Sequence, residues 1–507
     1  TTETTYLEAA GQQSLYEINI MKNRGMIYDC NIAPLVNKKN THIISVTPDI
    51  ETIAYLNNKL GKGYVDKFKT ATENGKPFLL YDIKQKLESD GLITFESYER
   101  YSEDQLASHV IGYLDSTGRG VSGLEKALND FLEESAQSIT IRYKLDGLGR
   151  VIPGEEQEII KNKDSSPAGV VTTIDSLIQE EAEKQAEKLG KGAIVITEVP
   201  NCEIRAITSV PNFTPTNLEK YSQSEDSPLV NRAINEYSPG SLFKLVIASS
   251  LIEENIKLPE YECTGSINVD GMQVSCYNGI AHGKLNMEQA IEKSCNCYFI
   301  NASRSTEPEV MLSMAQNFRL DTEIEFGRGY YSARGNIPSI DELNNKRALA
   351  NFSIGQGDIL VTPVQISGMV NTIASNGMYY EPKLIAGTVD DRNVFIPTVL
   401  SEVQSGTRVL KTSSATLLRK SMQAAVESGT AIKAGADCLA GIKTGTAQTG
   451  VYEDGKELHN YWYAGYIGDE SEPRYCITVM REGIADDNGV TATVFRELTE
   501  FISSNVY

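Results

Sequence analysis

The chain has 507 residues, 40% of them hydrophobic and 23% charged, and a formal net charge of -21. That length exceeds what a single hydrophobic core usually holds, so two or more domains are expected. The acidic balance, with no clustered run of Lys and Arg, excludes a phosphate-binding nucleic-acid protein and equally a polybasic membrane anchor.

No stretch approaches the roughly 18 consecutive apolar residues that span a bilayer. The opening Thr1-Thr2-Glu3, with no initiator Met, reads as a trimmed N-terminus, and an anchor upstream of it is expected. Residues 1–165 are polar and rich in turn signals. "RGMIYDCNIAPLV" (24–36) alternates as a strand pair turning near Asn31. The segment 96–115 carries apolar residues at helical spacing and then becomes strand-like, and 118–134 reads as a glycine turn, a Ser cap and an amphipathic helix. No nucleophile, base and acid come together in this region, which is taken as a non-catalytic module. "KNKDSSPAG" (161–169) has the charge, Ser, Pro and Gly of a linker, giving a division into 1–165 and 166–507.

Beyond it, 170–190 reads as a strand, an Asp cap and a helix ending at Gly190, and 192–210 as a hairpin turning at Pro200-Asn201. Near the C-terminus, 461–468 and 474–482 read as strands and 492–506 as an amphipathic helix. Strands at both ends with helices between predict an α+β domain: an antiparallel sheet flanked by helices, with a helical insertion.

The chemistry starts in "YSPGSLFKLVIASSLIEE" (237–254), where Pro239-Gly240 opens a helix apolar nearly all round. Ser241 and Lys244 are out of place on such a helix unless used. Their i, i+3 spacing puts the amine one turn from the hydroxyl, and burial and the positive helix end both disfavour the ammonium, so Lys244 can act as base to a Ser241 nucleophile. Alone, S-x-x-K is a weak signal. "EKSCNCYF" (292–299) adds Ser294 and Asn296, two apart and aimed the same way in an extended segment. "AGIKTGTAQTG" (440–450) adds a strand with Lys443 and Gly445 on one face and Thr444 and Thr446 on the other. Gly445 is expected to leave room for a substrate backbone, while the Thr hydroxyls and Lys443 hold a carboxylate. S-x-x-K, S-x-N and K-T-G in that order form the set of penicillin-binding proteins and class A β-lactamases.

With these motifs the sequence resembles the class B penicillin-binding proteins, the monofunctional peptidoglycan D,D-transpeptidases, over nearly its whole length. "RGMIYDCN" is similar to the family's R-G-x-I-x-D-R-N-G, with Cys30 in place of the usual Arg and Ile32 in place of Gly. "LASHVIGY" and "GVSGLEKALNDFL" resemble its pedestal motifs, with Arg24, Gly25, Gly123 and Glu125 at matching positions, and "PLVNRAINEYSPGSLFK" matches closely. "SIGQGDILVTPVQ" (353–365) is similar to the segment behind the active site, and "WYAGYIG" to the strand that usually reads W-F-x-G-F.

The resemblance implies a penicillin-binding/β-lactamase-like transpeptidase domain on an elongated N-terminal pedestal. It implies that Ser241 attacks the penultimate D-Ala carbonyl of a stem peptide with Lys244 as base, and that Ser294 relays the proton between Lys244 and Lys443. The amides of Ser241 and Thr446 would form the oxyanion hole, Asn296 would hold the donor amide, and Thr444 and Thr446 its carboxylate. An amine of a second stem peptide resolves the acyl-enzyme, and β-lactams stall it. No cofactor is needed for this chemistry. The implied partners are D-Ala-D-Ala stem peptides, β-lactams and a membrane glycosyltransferase, with the protein on the extracytoplasmic face of the membrane. Two other functions share features: a serine β-lactamase or β-lactam sensor, disfavoured by the long front module and the lack of a deacylating Glu motif, and a catalytically inactive cell-wall scaffold.

Of the eight cysteines, Cys30, Cys202, Cys438 and Cys476 are scattered and read as small buried hydrophobes. The rest crowd into 263–297. A hairpin turning at Asp270-Gly271 sets Val269 opposite Met272 and Cys276 opposite Gly265, with Cys263 a diagonal neighbour. Cys263, Cys276, His282 and Cys297 then form a ligand set for a structural zinc bracing the Ser294–Asn296 loop, with Asp270 too far out at the tip. Cys297 is preferred over Cys295, which stands in the family's common S-C-N. Free buried thiols and a Cys263–Cys276 disulfide are the other two readings.

Overall fold

The computed structural model describes residues 15–152, 155–161, 169–256, 260–390, 392, 394–396, 405–469 and 472–506. Its centre is a five-stranded antiparallel sheet in the order Ile204–Val210, Gly192–Glu198, Glu472–Ile484, Lys456–Asp469, Leu439–Glu453. Two strands from the early part of the domain thus lie beside three from its end, as the sequence pattern predicted. The strand Gly192–Glu198 opens with an unbroken apolar run, 192–196, because both of its faces are covered. Ala193 and Val195 face a core shared with Ile366 and Met369 of the helix Pro363–Ala374. Ile194 and Ile196 face the opposite core, with Ile178 and Ala182 of Ser176–Ala186 and Val494 and Leu498 of Val490–Asn505. Both outer helices fall where the sequence placed them, and Asp175 caps the first by accepting from the amides of Leu177 and Ile178.

The front of the chain builds two three-stranded sheets: Lys39–Val46 between Phe78–Ile83 and Leu92–Glu99, and Gln137–Lys144 between Leu15–Asn23 and Glu158–Lys161. It is stitched to the rest through Met26–Tyr28, which pairs parallel with Gly169–Thr172; that strand pairs on its other side with Ile385–Val389. A buried cluster locks the pedestal motifs together. The Glu125 carboxylate, fully buried, accepts from Arg24 Nε at 2.8 Å, Arg100 Nε at 2.7 Å and Tyr101 Oη at 3.1 Å. Gly123, at φ 57°, stands where a Cβ would lie 2.3 Å from the Val110 carbonyl.

Three local expectations change. In 96–115 the order is reversed: the strand comes first, ending at Glu99, and the helix is only Ser108–Ile111. Pairing with Lys39–Val46 overrides the helical spacing of this segment. The helix expected over 118–134 is two pieces, Gly123–Ala127 and Asn129–Glu134, meeting at Leu128. Cys30 and Cys438 are only partly buried, unlike Cys202 and Cys476. The proposed linker lies, at 162–168, outside the described residues. Among the described residues, no helix is long and apolar enough to cross a membrane.

Candidate active site

The apolar sequence after Pro239-Gly240 folds as a tight turn, Gly240–Phe243, continued by the helix Lys244–Glu253. The helix is buried on almost every side, as its composition requires. Its mouth is pressed against the strand Leu439–Glu453. Gly240 has φ 53°, and a Cβ there would lie 2.6 Å from the Thr446 carbonyl. Gly445 faces back from the strand, where a Cβ would lie 2.9 Å from the Pro239 carbonyl and 3.2 Å from Leu242 Cγ. The space expected at Gly445 for a substrate backbone is therefore taken by the turn that carries Ser241. The glycine is needed for that packing.

"SIGQG" closes the other side: Gly240 N donates to the Gly355 carbonyl at 3.0 Å, and a Cβ on Gly355 would sit 1.9 Å from the Gly240 carbonyl. Trp462 Nε1 donates to the Ser238 carbonyl at 3.1 Å. These contacts hold the Ser241 backbone on three sides.

Within this frame the motif residues converge. Lys244 Nζ lies 3.0 Å from Ser241 Oγ, 2.6 Å from Asn296 Oδ1, 2.7 Å from the Ser294 carbonyl and 3.2 Å from Ser294 Oγ. Lys443 Nζ reaches the same Ser294 Oγ at 2.8 Å. One hydroxyl thus bridges two amines, as expected, and the path from Ser241 Oγ through Lys244 and Ser294 to Lys443 is continuous. An ammonium has three hydrogens to give. Four oxygens ring Lys244, so a neutral amine accepting from the Ser241 hydroxyl fits the ring as well as the ion does.

Both lysines are fully buried while Ser241, Ser294 and Asn296 are half-exposed to the cleft. Burial pushes the Lys244 amine down to about 8, and the nearby Cys295, Cys276 and Cys297 sulfurs pull it partly back up. Burial, with the charge of Lys244 beside it, holds Lys443 well below the ordinary range. Thr444 Oγ1 donates to Thr430 Oγ1 at 3.0 Å, adding a residue after the helix Thr412–Glu427 that no motif had marked.

Ser294 and Asn296 do not share an extended segment. Ser294 is left-handed at φ 53° and Asn296 is the first residue of the helix Asn296–Ser303. That kink sends Asn296 Oδ1 to Lys244 and Nδ2 to the Ser275 carbonyl at 2.8 Å.

It also turns the cysteine on the other side inward. The hairpin forms in the expected register, Ser266–Val269 against Met272–Ser275, with Cys276 N donating to the Gly265 carbonyl. Cys263 Sγ lies 3.7 Å from Cys276 Sγ and 3.5 Å from His282 Nδ1, and Cys276 Sγ lies 3.7 Å from Cys295 Sγ. A tetrahedral zinc with Zn–S of about 2.3 Å and Zn–N of about 2.0 Å needs S–S edges of about 3.8 Å and S–N edges of about 3.5 Å. The ligand atoms of Cys263, Cys276, His282 and Cys295 all lie within 4.8 Å of one another. Cys297, preferred from sequence, has its sulfur 3.5 Å from Cys276 but falls outside that group of four. Extended backbone at Cys295, before the helix begins, directs its side chain to the hairpin, whereas Cys297 is already in the first helical turn. All of these cysteines are free thiols.

A half-exposed serine one turn from a buried lysine, a Ser-x-Asn loop and a Lys-Thr-Gly edge strand together form the motif set of penicillin-binding proteins. Residues 192–500 match the penicillin binding protein transpeptidase domain, and the chain belongs to that family. It is 30% identical over 419 residues to penicillin-binding protein PbpB of Mycobacterium tuberculosis, covering 77% of this chain and 58% of that protein. With stage V sporulation protein D of Bacillus subtilis it shares 26% over 482 residues, covering 88% and 71%. Among solved structures, penicillin-binding protein 2 of Helicobacter pylori, in complex with MreC, superposes with TM-score 0.72 at 18% identity, covering 97% of this chain and all of that one. Penicillin-binding protein 3 of Mycobacterium tuberculosis bound to aztreonam gives TM-score 0.70 at 21% identity, covering 96% and 98%. These two establish the fold, including the front module.

Proposed function

We propose that the chain is a peptidoglycan D,D-transpeptidase that cross-links stem peptides through a Ser241 acyl-enzyme and is inhibited by β-lactams. The carrying observation is the Ser241–Lys244–Ser294–Lys443 chain of contacts at 3.0, 3.2 and 2.8 Å. In the first half-reaction Lys244 takes the Ser241 proton, Oγ bonds to the penultimate D-Ala carbonyl, and the terminal D-Ala leaves as an amine protonated through Ser294. The Ser241 and Thr446 amides stabilise the oxyanion, Asn296 orients the donor amide, and Thr444, Thr446 and Lys443 hold the carboxylate. In the second half the amine of another stem peptide attacks, and the proton returns along the same path.

The names of the relatives support this reading, among them peptidoglycan D,D-transpeptidase FtsI of Escherichia coli, 25% identical over 419 residues. The polymer lies outside the cell membrane, so we place the enzyme on the extracytoplasmic face, tethered by an anchor and fed by a glycosyltransferase that polymerises the strands. Residues 1–165 serve as the pedestal that holds the transpeptidase domain at its substrate. We further propose that Cys263, Cys276, His282 and Cys295 hold a structural zinc that braces the Asn296 loop, with its coordination filled and no water to activate.

Intact-mass detection of a penicillin adduct, mapped to the Ser241 peptide, tests the function; Ser241→Ala is expected to abolish it. The adduct is expected to persist for many minutes. Its loss within seconds would make the chain a β-lactamase instead.

A further inference from the structure

A cleft of about 570 Å³ lies away from the catalytic centre, at the far end of the helix that begins with Asn296. Leu349, partly exposed over the buried Ile300 and Ala350, forms its apolar part, and Arg304 and Lys346 stand among its lining residues. The hairpin tip overhangs it. Arg304 Nη2 donates to the Asn268 carbonyl at 3.3 Å, Arg347 Nη2 donates to the Asp270 carbonyl, and Lys346 Nζ lies 3.7 Å from Asp270 Oδ1. Two cations, Arg304 and Lys346, therefore line the cleft beside a single carboxylate, Asp270, in a chain whose net charge is -21. Arg304 spends one bond on a backbone carbonyl, and Lys346, largely exposed, makes only a long contact, so donors of both remain for a ligand. The charge calls for an anion. The apolar floor calls for one with methyl groups beside its charge, which a bare phosphate lacks.

We propose that this cleft is a second binding site for a stem peptide of the cell-wall polymer, taken through its free terminal carboxylate by Arg304 and Lys346 with its alanine methyls on Leu349. The inference rests on the transpeptidase reading for its choice of peptide. Ser303 on the cleft is seven residues from Asn296, about 10 Å along the helix. A peptide held here would keep a neighbouring strand close to the catalytic centre, raising its effective concentration there.

The test uses protein first acylated with benzylpenicillin, so that the catalytic cleft is filled. Failure of that acylation at Ser241 would count against the transpeptidase reading and is seen before any titration. The acyl-enzyme is then titrated by calorimetry with diacetyl-L-Lys-D-Ala-D-Ala, whose only charge is its carboxylate, with the C-terminal amide of that peptide, and with inorganic phosphate. The acid is expected to bind, and the amide and the Arg304→Gln/Lys346→Gln double variant to lose about ten-fold or more in affinity. Arg304→Lys/Lys346→Arg should restore binding, and penicillin acylation rates should be unchanged in both variants. No binding to the acyl-enzyme, equal binding of acid and amide, or full binding by the Gln variant would overturn the proposal. Phosphate binding more tightly than the peptide would overturn the peptide assignment.

Discussion

At Lys244 two opposing pulls set the proton affinity: burial removes the water that stabilises an ammonium, while three nearby cysteine sulfurs restore part of that stabilisation. With the amine held down to about 8, roughly a tenth of the molecules carry it neutral at pH 7. The base form lies above the pKa. The rate of Ser241 acylation by penicillin is therefore expected to climb about ten-fold from pH 6 to 7 and to level off above pH 8 to 9, with adduct formation followed by stopped-flow. A flat profile across that range would remove Lys244 as the base. Lys244→Arg keeps the charge but cannot give up its proton, so acylation should fall by about 10² to 10⁴ while the fold persists. Ser241 and Lys244 were legible because a polar pair at the mouth of an otherwise apolar helix needs a reason, and Lys443 was legible through the Lys-Thr-Gly strand motif. Thr430 was not. It sits in an ordinary loop and reaches Thr444 only because the helix before it packs along the same strand.

At the scale of elements, the pieces that carry the motifs are kept in contact by missing side chains. Gly240→Ala would place a Cβ in a left-handed residue against the Thr446 carbonyl, so either the Ser241 turn or the strand must move. We expect a lower Tm together with a large loss of penicillin acylation; retention of full activity would show that the turn tolerates displacement. The Asn296 loop has a different support. Cys276→Ser and Cys295→Ser are expected to drop zinc, measured by plasma mass spectrometry, below about 0.2 per chain and to lower Tm, whereas Cys297→Ser should keep the metal. Loss of zinc from the Cys297 variant alone would return the fourth place to that residue. The hairpin register, with Cys276 opposite Gly265, followed from the Asp-Gly turn alone, since a two-residue turn leaves no freedom downstream. The choice between Cys295 and Cys297 did not. It depends on the left-handed Ser294, a conformation that no local pattern announces.

Across the whole molecule, the front module is joined to the catalytic domain by sheet pairing and by single polar contacts such as Ala107 N to Glu183 Oε1 at 2.6 Å. Its rigidity depends on Glu125, which is buried and satisfied by two guanidinium groups and a tyrosine hydroxyl. Glu125→Ala leaves Arg24 and Arg100 without their charge partner, and is expected to cost about 3–5 kcal/mol, read as a lower denaturant midpoint for the front module. The central sheet and its two outer helices could be read from the sequence, because alternation, caps and turn residues are local signals. The strand ending at Glu99 could not, because its partner, Lys39–Val46, lies far earlier in the chain, and pairing outweighs a weak helical spacing.

By itself, then, the sequence determined the family and the candidate residues: a serine, two lysines, an asparagine and a glycine strand in the order S-x-x-K, S-x-N, K-T-G. Only the tertiary structure decided how they meet. It placed Lys244 and Lys443 on one hydroxyl, assigned Gly445 to packing, and chose Cys295 for the cluster. Proton affinity and ligand geometry depend on burial and on distances between residues far apart in the chain, and local sequence carries neither.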